Sequence, residues 1–443
     1  MQDAIEVEEE DARHTTLDSR LPSLGEVEVN VRIEALPPIL APDEVEDLLL
    51  IRPEFEVSHV RALPLHVRAH EAVALGSLYI PRSEMVDIEA EISLLLRGGY
   101  VRRNPVLAKT RQDIATVRHR WRSSSKATRE RLDAQGASES PLPPCFVVTG
   151  LSGTGKSRGI RAILALYPQV ILHSLYEHKR LRETKIAWIS VDAPINGSVQ
   201  GFLLRMFAAV DRALGIQGGP ASYVQQFGRA KVSIDQKIEE LAQIAATYHI
   251  GLLHIDDLQR LAEVHSSKAT QVLNVIIQLA NVVRVPLVLS GTPKMAEILA
   301  TSLEAARRTS SAGGQDLWLP ESAQDPHFCT MVQALESFQW LDQAVVIDGA
   351  WRQKLFAYSR GLPAILISLF TNAQKYAARR GAKVLTMAHI DMAYQKNCEL
   401  IHPALEALRS NNPTRFGDYE DLQPTRVQIM NVLRRNREAM LVS

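Results

Sequence analysis

The feature that most constrains how this chain folds is the octet Gly150-Leu-Ser-Gly-Thr-Gly-Lys-Ser157, which directly follows the apolar run 145–149. Its glycines let consecutive backbone N–H groups curl around a cluster of anionic oxygens, and a helix starting behind them adds the positive end of its dipole. The spacing Gly150-x-x-x-x-Gly155-Lys156-Ser157 meets the P-loop pattern at every fixed position. Such a loop needs a strand before it and a helix after it, which predicts an α/β domain. ATP is the expected ligand, with Gly150, Ser152, Gly153, Thr154 and Gly155 cradling the phosphates. Lys156 then reaches the β- and γ-phosphates as a point charge, and the Ser157 hydroxyl sits on Mg2+.

Strand and helix alternate downstream, as a parallel sheet with helices on both faces requires. Apolar segments at 186–191, 251–255 and 286–290 read as further strands. Helical periodicity fills 198–214, 234–248 behind an N-cap at Ser233, and 268–283. The run Leu252-Leu-His-Ile-Asp256-Asp257 ends an apolar strand in two carboxylates. Asp256 is expected to hold the Mg2+ water shell, and Asp257 to orient or deprotonate the attacking water. Glutamate is usual at the second position; aspartate reaches one methylene less, so slow hydrolysis is expected. At the end of the next strand Thr292, with Ser290 as second choice, is placed to sense the γ-phosphate. Arg307 and Arg308 open a loop suited to offering an arginine to the nucleotide of a neighbouring subunit.

With 443 residues, 46% hydrophobic and 23% charged, the chain can bury a large core and smaller units beside it. Residues 1–140 read as an N-terminal extension with a disordered start, 141–348 as the nucleotide core, 349–402 as a small all-helical lid and 403–443 as a polar C-terminal tail. The lid helices are expected at 349–359, 363–379 and 387–400, and a basic helix in the tail near 425–437. Formal net charge is +0, so any surface for nucleic acid must be local. A basic stretch lies between Arg97 and Arg131, including Arg103, with Trp121 interleaved. The candidates for DNA backbone contact are Lys179, Arg180, Arg182 and Lys185 before the second strand, and Arg229 and Lys231 before a later helix. An acidic run at 3–11 has no apolar segment behind it, and nothing approaches the roughly 18–20 apolar residues of a membrane span. Neither a signal peptide nor a membrane partner is expected. Cys145, Cys329 and Cys398 are far apart and lack metal-ligand spacing, which fits a reducing cytoplasm.

Strand, phosphate loop, paired aspartates, polar strand end, arginines and helical lid, in that order, resemble an AAA+ ATPase. Phrases outside these elements narrow the likeness: Tyr167-Pro-Gln-Val170, Asp192-Ala-Pro-Ile-Asn-Gly-Ser198, Gly251-Leu-Leu-His-Ile-Asp-Asp-Leu-Gln259, Gly291-Thr-Pro293, Ala306-Arg-Arg308, Phe338-Gln-Trp340, Gly361-Leu-Pro363, His402-Pro-Ala-Leu-Glu-Ala-Leu-Arg409 and Tyr419-Glu-Asp-Leu422. Together they resemble TnsC, the AAA+ regulator of TnsABC-type transposons, and the related TniB proteins, from about residue 98 to 422. The resemblance implies an ATP-dependent adaptor of a bacterial cytoplasm, associated with the nucleoid. It would assemble with itself as a ring or filament on double-stranded DNA, and connect a TnsD/TniQ-type target selector to a transposase of TnsA/TnsB type. It further implies that Gly150–Ser157, Asp256, Asp257 and Thr292 serve the ATP site and that Arg307 or Arg308 is the finger. The N-terminal region would meet the target selector and the tail the transposase. Two departures stand out: Asp257 in place of glutamate, and no arginine three positions beyond Gly361, where Arg360 is the available substitute. A protein-only ATP-gated scaffold or signalling module and a helicase or origin loader share the core; the latter leaves Tyr419-Glu-Asp-Leu422 unexplained.

Overall fold

The apolar run ahead of the octet forms the strand β1 (Cys145–Gly150) of a five-stranded parallel sheet. The computed structural model describes residues 30–101, 103, 143–176, 179–228, 232–262, 264, 266–299 and 311–410. The other strands are β2 (Val170–Tyr176), β3 (Lys179–Ile186), β4 (Trp188–Asp192), β5 (Leu252–Asp256), β6 (Leu287–Gly291) and β7 (Gly314–Leu317). Sheet order is β4-β5-β6-β1-β7, every pairing parallel. The strands expected at 186–191, 251–255 and 286–290 correspond to β4, β5 and β6, each displaced by one or two residues at its start. β2 and β3 pair antiparallel as a separate hairpin, so the basic residues expected ahead of a strand lie on a strand of their own, β3. β7 was missed: four residues with one buried side chain leave almost no periodic signal.

The longer helices are α1 (Pro42–Leu49), α2 (Ser83–Val101), α3 (Lys156–Ala165), α4 (Val199–Ala213), α5 (Ile234–Thr247), α6 (Ser266–Val283), α7 (Pro326–Glu336), α8 (Gly349–Ser359), α9 (Pro363–Arg379), α10 (Met387–Asn397) and α11 (His402–Ser410). Ser233 caps α5 as expected, its hydroxyl accepting from the Gln236 N–H while the Gln236 side chain accepts from the Ser233 N–H. On one face of the sheet, Cys145, Ile189, Leu253 and Leu289 pack with α4, α5 and α6. On the other, Phe146 and Val148 pack with Ile160, Ile163 and Leu164 of α3 and with Met85, Ile88 and Ile92 of α2. The three α3 side chains are fully buried, each contributing about 1.5–3 kcal/mol, so the helix that carries the phosphate loop is firmly seated. An N-terminal helix therefore completes the second face of the core.

A third cluster joins α7–α10 to the short helices at 57–62 and 65–71. Since Phe328, Met331 and Leu335 of α7 belong to it, the helical unit begins near residue 323 rather than at 349. It also runs past 402: Leu405 of α11 is buried, and Arg409 donates to the Ala357 carbonyl of α8 at 2.7 Å. Residues 425–437 lie outside the described residues.

Several basic residues of the charged stretches turn inward. Arg97 donates to the Ser93 hydroxyl and the Pro37 carbonyl, and Arg103 to the Ile250 carbonyl at 2.6 Å. Lys185 corrects a DNA candidate: it is fully buried, its Nζ donates to the Arg32 carbonyl at 2.6 Å and stands 4.9 Å from the Tyr100 ring centre. Burial pushes its ammonium down to about 7, with the Arg32 charge adding to the fall. The neighbouring Glu183 pairs with Arg32 at 2.8 Å and with His249 at 3.2 Å. Lys185 thus ties β3 to the N-terminal segment and presents no surface to a phosphate backbone.

Candidate functional site

β1 hands over to α3 through a loop in which Gly153 and Gly155 take φ of 84° and 93°, a region that a Cβ disfavours. The Lys156 Nζ donates to the carbonyls of Gly150 and Leu151 at 2.7 and 3.0 Å, and the Thr154 hydroxyl to that of Leu151 at 2.8 Å. The ammonium thus lies in the curl of the loop, where phosphate oxygens would be cradled. Ser152 is exposed on the loop. The Ser157 hydroxyl, at the start of α3, is among the groups that hold down the Asp256 carboxyl at the end of β5.

Every residue of β5 is buried, and Asp256 is its last. The Asp256 Oδ1 accepts the Ser290 hydroxyl at 2.6 Å and the Asp257 N–H at 2.9 Å; its Oδ2 lies 3.4 Å from Arg161, whose side chain is 60% exposed. Burial raises this carboxyl, but the His254 ring, the Ser290 and Ser157 hydroxyls and the Asp257 N–H together hold it below the usual range. Asp257 then leaves the strand in the left-handed region (φ 55°, ψ 40°), a turn that aspartate tolerates better than most residues. Its Oδ1 accepts from Gln259 at 3.0 Å and its Oδ2 from Arg260 at 2.6 Å. The Gln259 Oε1 in turn accepts the Thr292 N–H at 3.1 Å. Gln259 therefore holds Asp257 and Thr292 in one frame, a role nothing in the spacing had marked. The Thr292 hydroxyl is buried with no partner among the described residues.

Ser290 is a correction. It is fully buried, and its hydroxyl proton goes to Asp256, so it positions that carboxylate instead of sensing a phosphate. Arg360 is also turned away: its guanidinium stacks 5.2 Å from the Phe356 ring centre and reaches the Leu408 carbonyl of α11. Arg307, Arg308, Arg229 and Lys231 lie outside the described residues, as do the side chains of Lys179, Arg180 and Arg182 on β3.

Beside the loop opens a cavity of about 490 Å3, between the 73–82 segment, Gly153–Gly155, α7 and the first turns of α9. Its size suits a drug-sized organic ligand. The walls are largely apolar, and four buried polar atoms on them have no partner among the described residues: the Tyr79 hydroxyl, Arg82 Nη1, His327 Nε2 and the Thr371 hydroxyl. Orphaned buried donors and acceptors are costly unless something supplies partners. Burial, with the Arg82 charge second, pushes His327 down to about 4, so the ring is neutral at neutral pH. The 73–82 segment is held on α3 from two sides. Arg158 donates to the Gly76 and Leu78 carbonyls at 3.1 Å, and a Cβ on Gly159 would overlap the Tyr79 hydroxyl and the Met85 sulfur. Gly159→Ala is therefore expected to cost about 1–3 kcal/mol of stability and to shift Tyr79, which chemical denaturation and nucleotide titration of the variant would check.

The end of β1, the glycine-rich loop closed by Lys156 and Ser157, and Asp256 at the end of β5 thus come together at one place. Residues 142–299 match the AAA domain. The described AAA domain has the parallel sheet and two-sided helix packing of AAA+ P-loop cores, with the helical unit following it. No curated protein matches the chain. Among solved structures it is similar to the ORC1 protein of Aeropyrum pernix in complex with DNA (18% identity, TM-score 0.38, covering 68% of each chain). It is also similar to the ORC2 protein of Aeropyrum pernix in its ADPNP–ADP complexes (12%, 0.37, 66% of this chain and 69% of that one). A third is the Walker-type ATPase of Pyrococcus abyssi (14%, 0.39, 64% and 75%). Tyr79, Arg82, His327 and Thr371 lie far from the AAA domain's motif in sequence, so only the folded chain brings them to its side.

Proposed function

We propose that this chain is an ATP-dependent AAA+ regulator of DNA transposition that assembles on duplex DNA in its ATP-bound form and comes apart after slow hydrolysis. The observation that carries the ATP part is the meeting of Lys156, Ser157 and Asp256 at one loop beside a cavity with unpartnered polar atoms. ATP would lay its phosphates along 150–157 and its base in the cavity. Bound Mg2+ would neutralise phosphate charge and leave most of its shell to water and phosphate oxygen, with Ser157 and Asp256 as its protein-side contacts. Asp257, clasped by Gln259 and Arg260, would order the attacking water with Thr292. Its short reach supports slow turnover. Arg307 or Arg308 would come from the neighbouring subunit.

The transposition part rests on the phrases shared with TnsC, which ATP binding does not demand. On that reading the partners are a TnsD/TniQ-type selector and a TnsA/TnsB-type transposase, the latter meeting the C-terminal tail. Sedimentation of the purified protein with a slowly hydrolysed ATP analogue and plain duplex DNA tests it: oligomers that need both inputs are expected. A protein-only scaffold gains support from the burial of Arg97 and Lys185 and from the inward hydrogen bond of Arg103, which take basic residues away from the candidate DNA surface. Assembly indifferent to DNA would favour that scaffold.

A further inference from the structure

One chain of hydrogen bonds runs from the edge strand β4 across β5 to β6 and ends on Asp256. The Ser190 Oγ on β4 lies 2.9 Å from the His254 Nδ1 on β5, the His254 Nε2 lies 2.8 Å from the Ser290 Oγ on β6, and the Ser290 Oγ lies 2.6 Å from the Asp256 Oδ1. His254 and Ser290 are fully buried and Asp256 is 1% exposed. A histidine here breaks the apolar pattern of a central parallel strand, where its neighbours are Leu253 and Ile255. Burying an imidazole between two hydroxyls is stable only if every donor meets an acceptor.

Proton counting fixes the direction of the whole chain. The Asp256 carboxylate can only accept, so Ser290 spends its single proton there and must accept from His254. Burial pushes His254 down to about 4, so the ring is neutral, carries its proton on Nε2 and accepts the Ser190 hydroxyl at Nδ1. All three bonds then point from β4 toward Asp256. With the Asp257 N–H, Ser290 fills Oδ1, and Oδ2 is the oxygen left on the Arg161 side of the site.

We propose that His254 is a positioning residue for the metal site: as its Nε2–H tautomer, held by Ser190, it orients the Ser290 hydroxyl so that Asp256 presents Oδ2 to a nucleotide-bound divalent cation. This rests on the ATP reading of the same site. Outer-sphere hydrogen bonds of this kind typically matter about 10- to 100-fold in metal affinity.

The test separates metal binding from nucleotide binding. In the wild type, ADP affinity is measured in EDTA, and Mn2+ affinity is measured by electron paramagnetic resonance at saturating ADP. His254→Leu, which suits the apolar strand, is expected to keep ADP affinity in EDTA within about threefold and to weaken Mn2+ by about tenfold or more. His254→Gln, whose amide can accept from Ser190 and donate to Ser290, is expected to recover most of that loss. Ser190→Ala acts at the far end with little change in packing; it should shift Mn2+ affinity the same way by less, and it decides the matter if His254→Leu does not fold. Wild-type Mn2+ affinity in both His254→Leu and Ser190→Ala would overturn the proposal. Independently of any ligand, the 15N spectrum of labelled histidine should show His254 protonated at Nε2 and bare at Nδ1; the opposite tautomer would also overturn it. Failure of the wild type to bind ADP would instead refute the nucleotide reading, while the tautomer would still judge the hydrogen-bond chain.

Discussion

Lys156→Ala is expected to abolish useful ATP binding while leaving the fold intact. The lysine Nζ now bonds the Gly150 and Leu151 carbonyls at 2.7 and 3.0 Å, and with ATP bound those bonds would be exchanged for charge-assisted ones to phosphate oxygen. Each such bond contributes about 1.5–3 kcal/mol, so losing two should weaken ATP by roughly a hundredfold or more. The fold should tolerate the change, because α3 is anchored by Ile160, Ile163 and Leu164 and not by the ammonium. Calorimetric titration with a slowly hydrolysed analogue, alongside thermal unfolding, would check both halves. Near-wild-type affinity would mean that the phosphates lie elsewhere.

Asp257→Asn should separate binding from hydrolysis. Among the described residues, its carboxylate oxygens are held by Gln259 and Arg260, at the side of the site where Thr292 follows β6. An amide can still meet this frame in part but cannot take a proton from water. ATP affinity should stay within about threefold, and single-turnover hydrolysis should fall by about 100-fold or more. A drop below about threefold would move the catalytic base to another residue.

How far the sequence reading reached depended on whether an element announces itself locally. The octet, the Asp256–Asp257 strand end and the Ser233 cap are each defined by a few adjacent residue types, and the structure has β1, β5 and α5 at those places within two residues. The N-terminal segment was legible only as broken apolar pieces. Its helices are short, and their role as the second face of the core and one wall of the cavity arises from contacts with α3, α7 and α9, none nearby in sequence. Lys185 was misread because charge alone does not distinguish a surface lysine from one that a fold buries against a ring and a carbonyl. His254 was passed over for the converse reason: within Leu252-Leu-His-Ile-Asp256 it looked like an interruption, and only the adjacent strands bring Ser190 and Ser290 to its two nitrogens.

The claim on which everything else depends is that one chain binds one ATP with Mg2+ at the loop 150–157, with the base in the adjoining cavity. Equilibrium titration of the wild-type protein with a slowly hydrolysed ATP analogue, in Mg2+, tests it most directly when paired with a Thr371→Trp variant, which puts bulk into the cavity from α9. Saturable binding at one site per chain, lost in the filled-cavity variant, is the predicted result. No saturable binding by the wild type, or full affinity with the cavity filled, would contradict it.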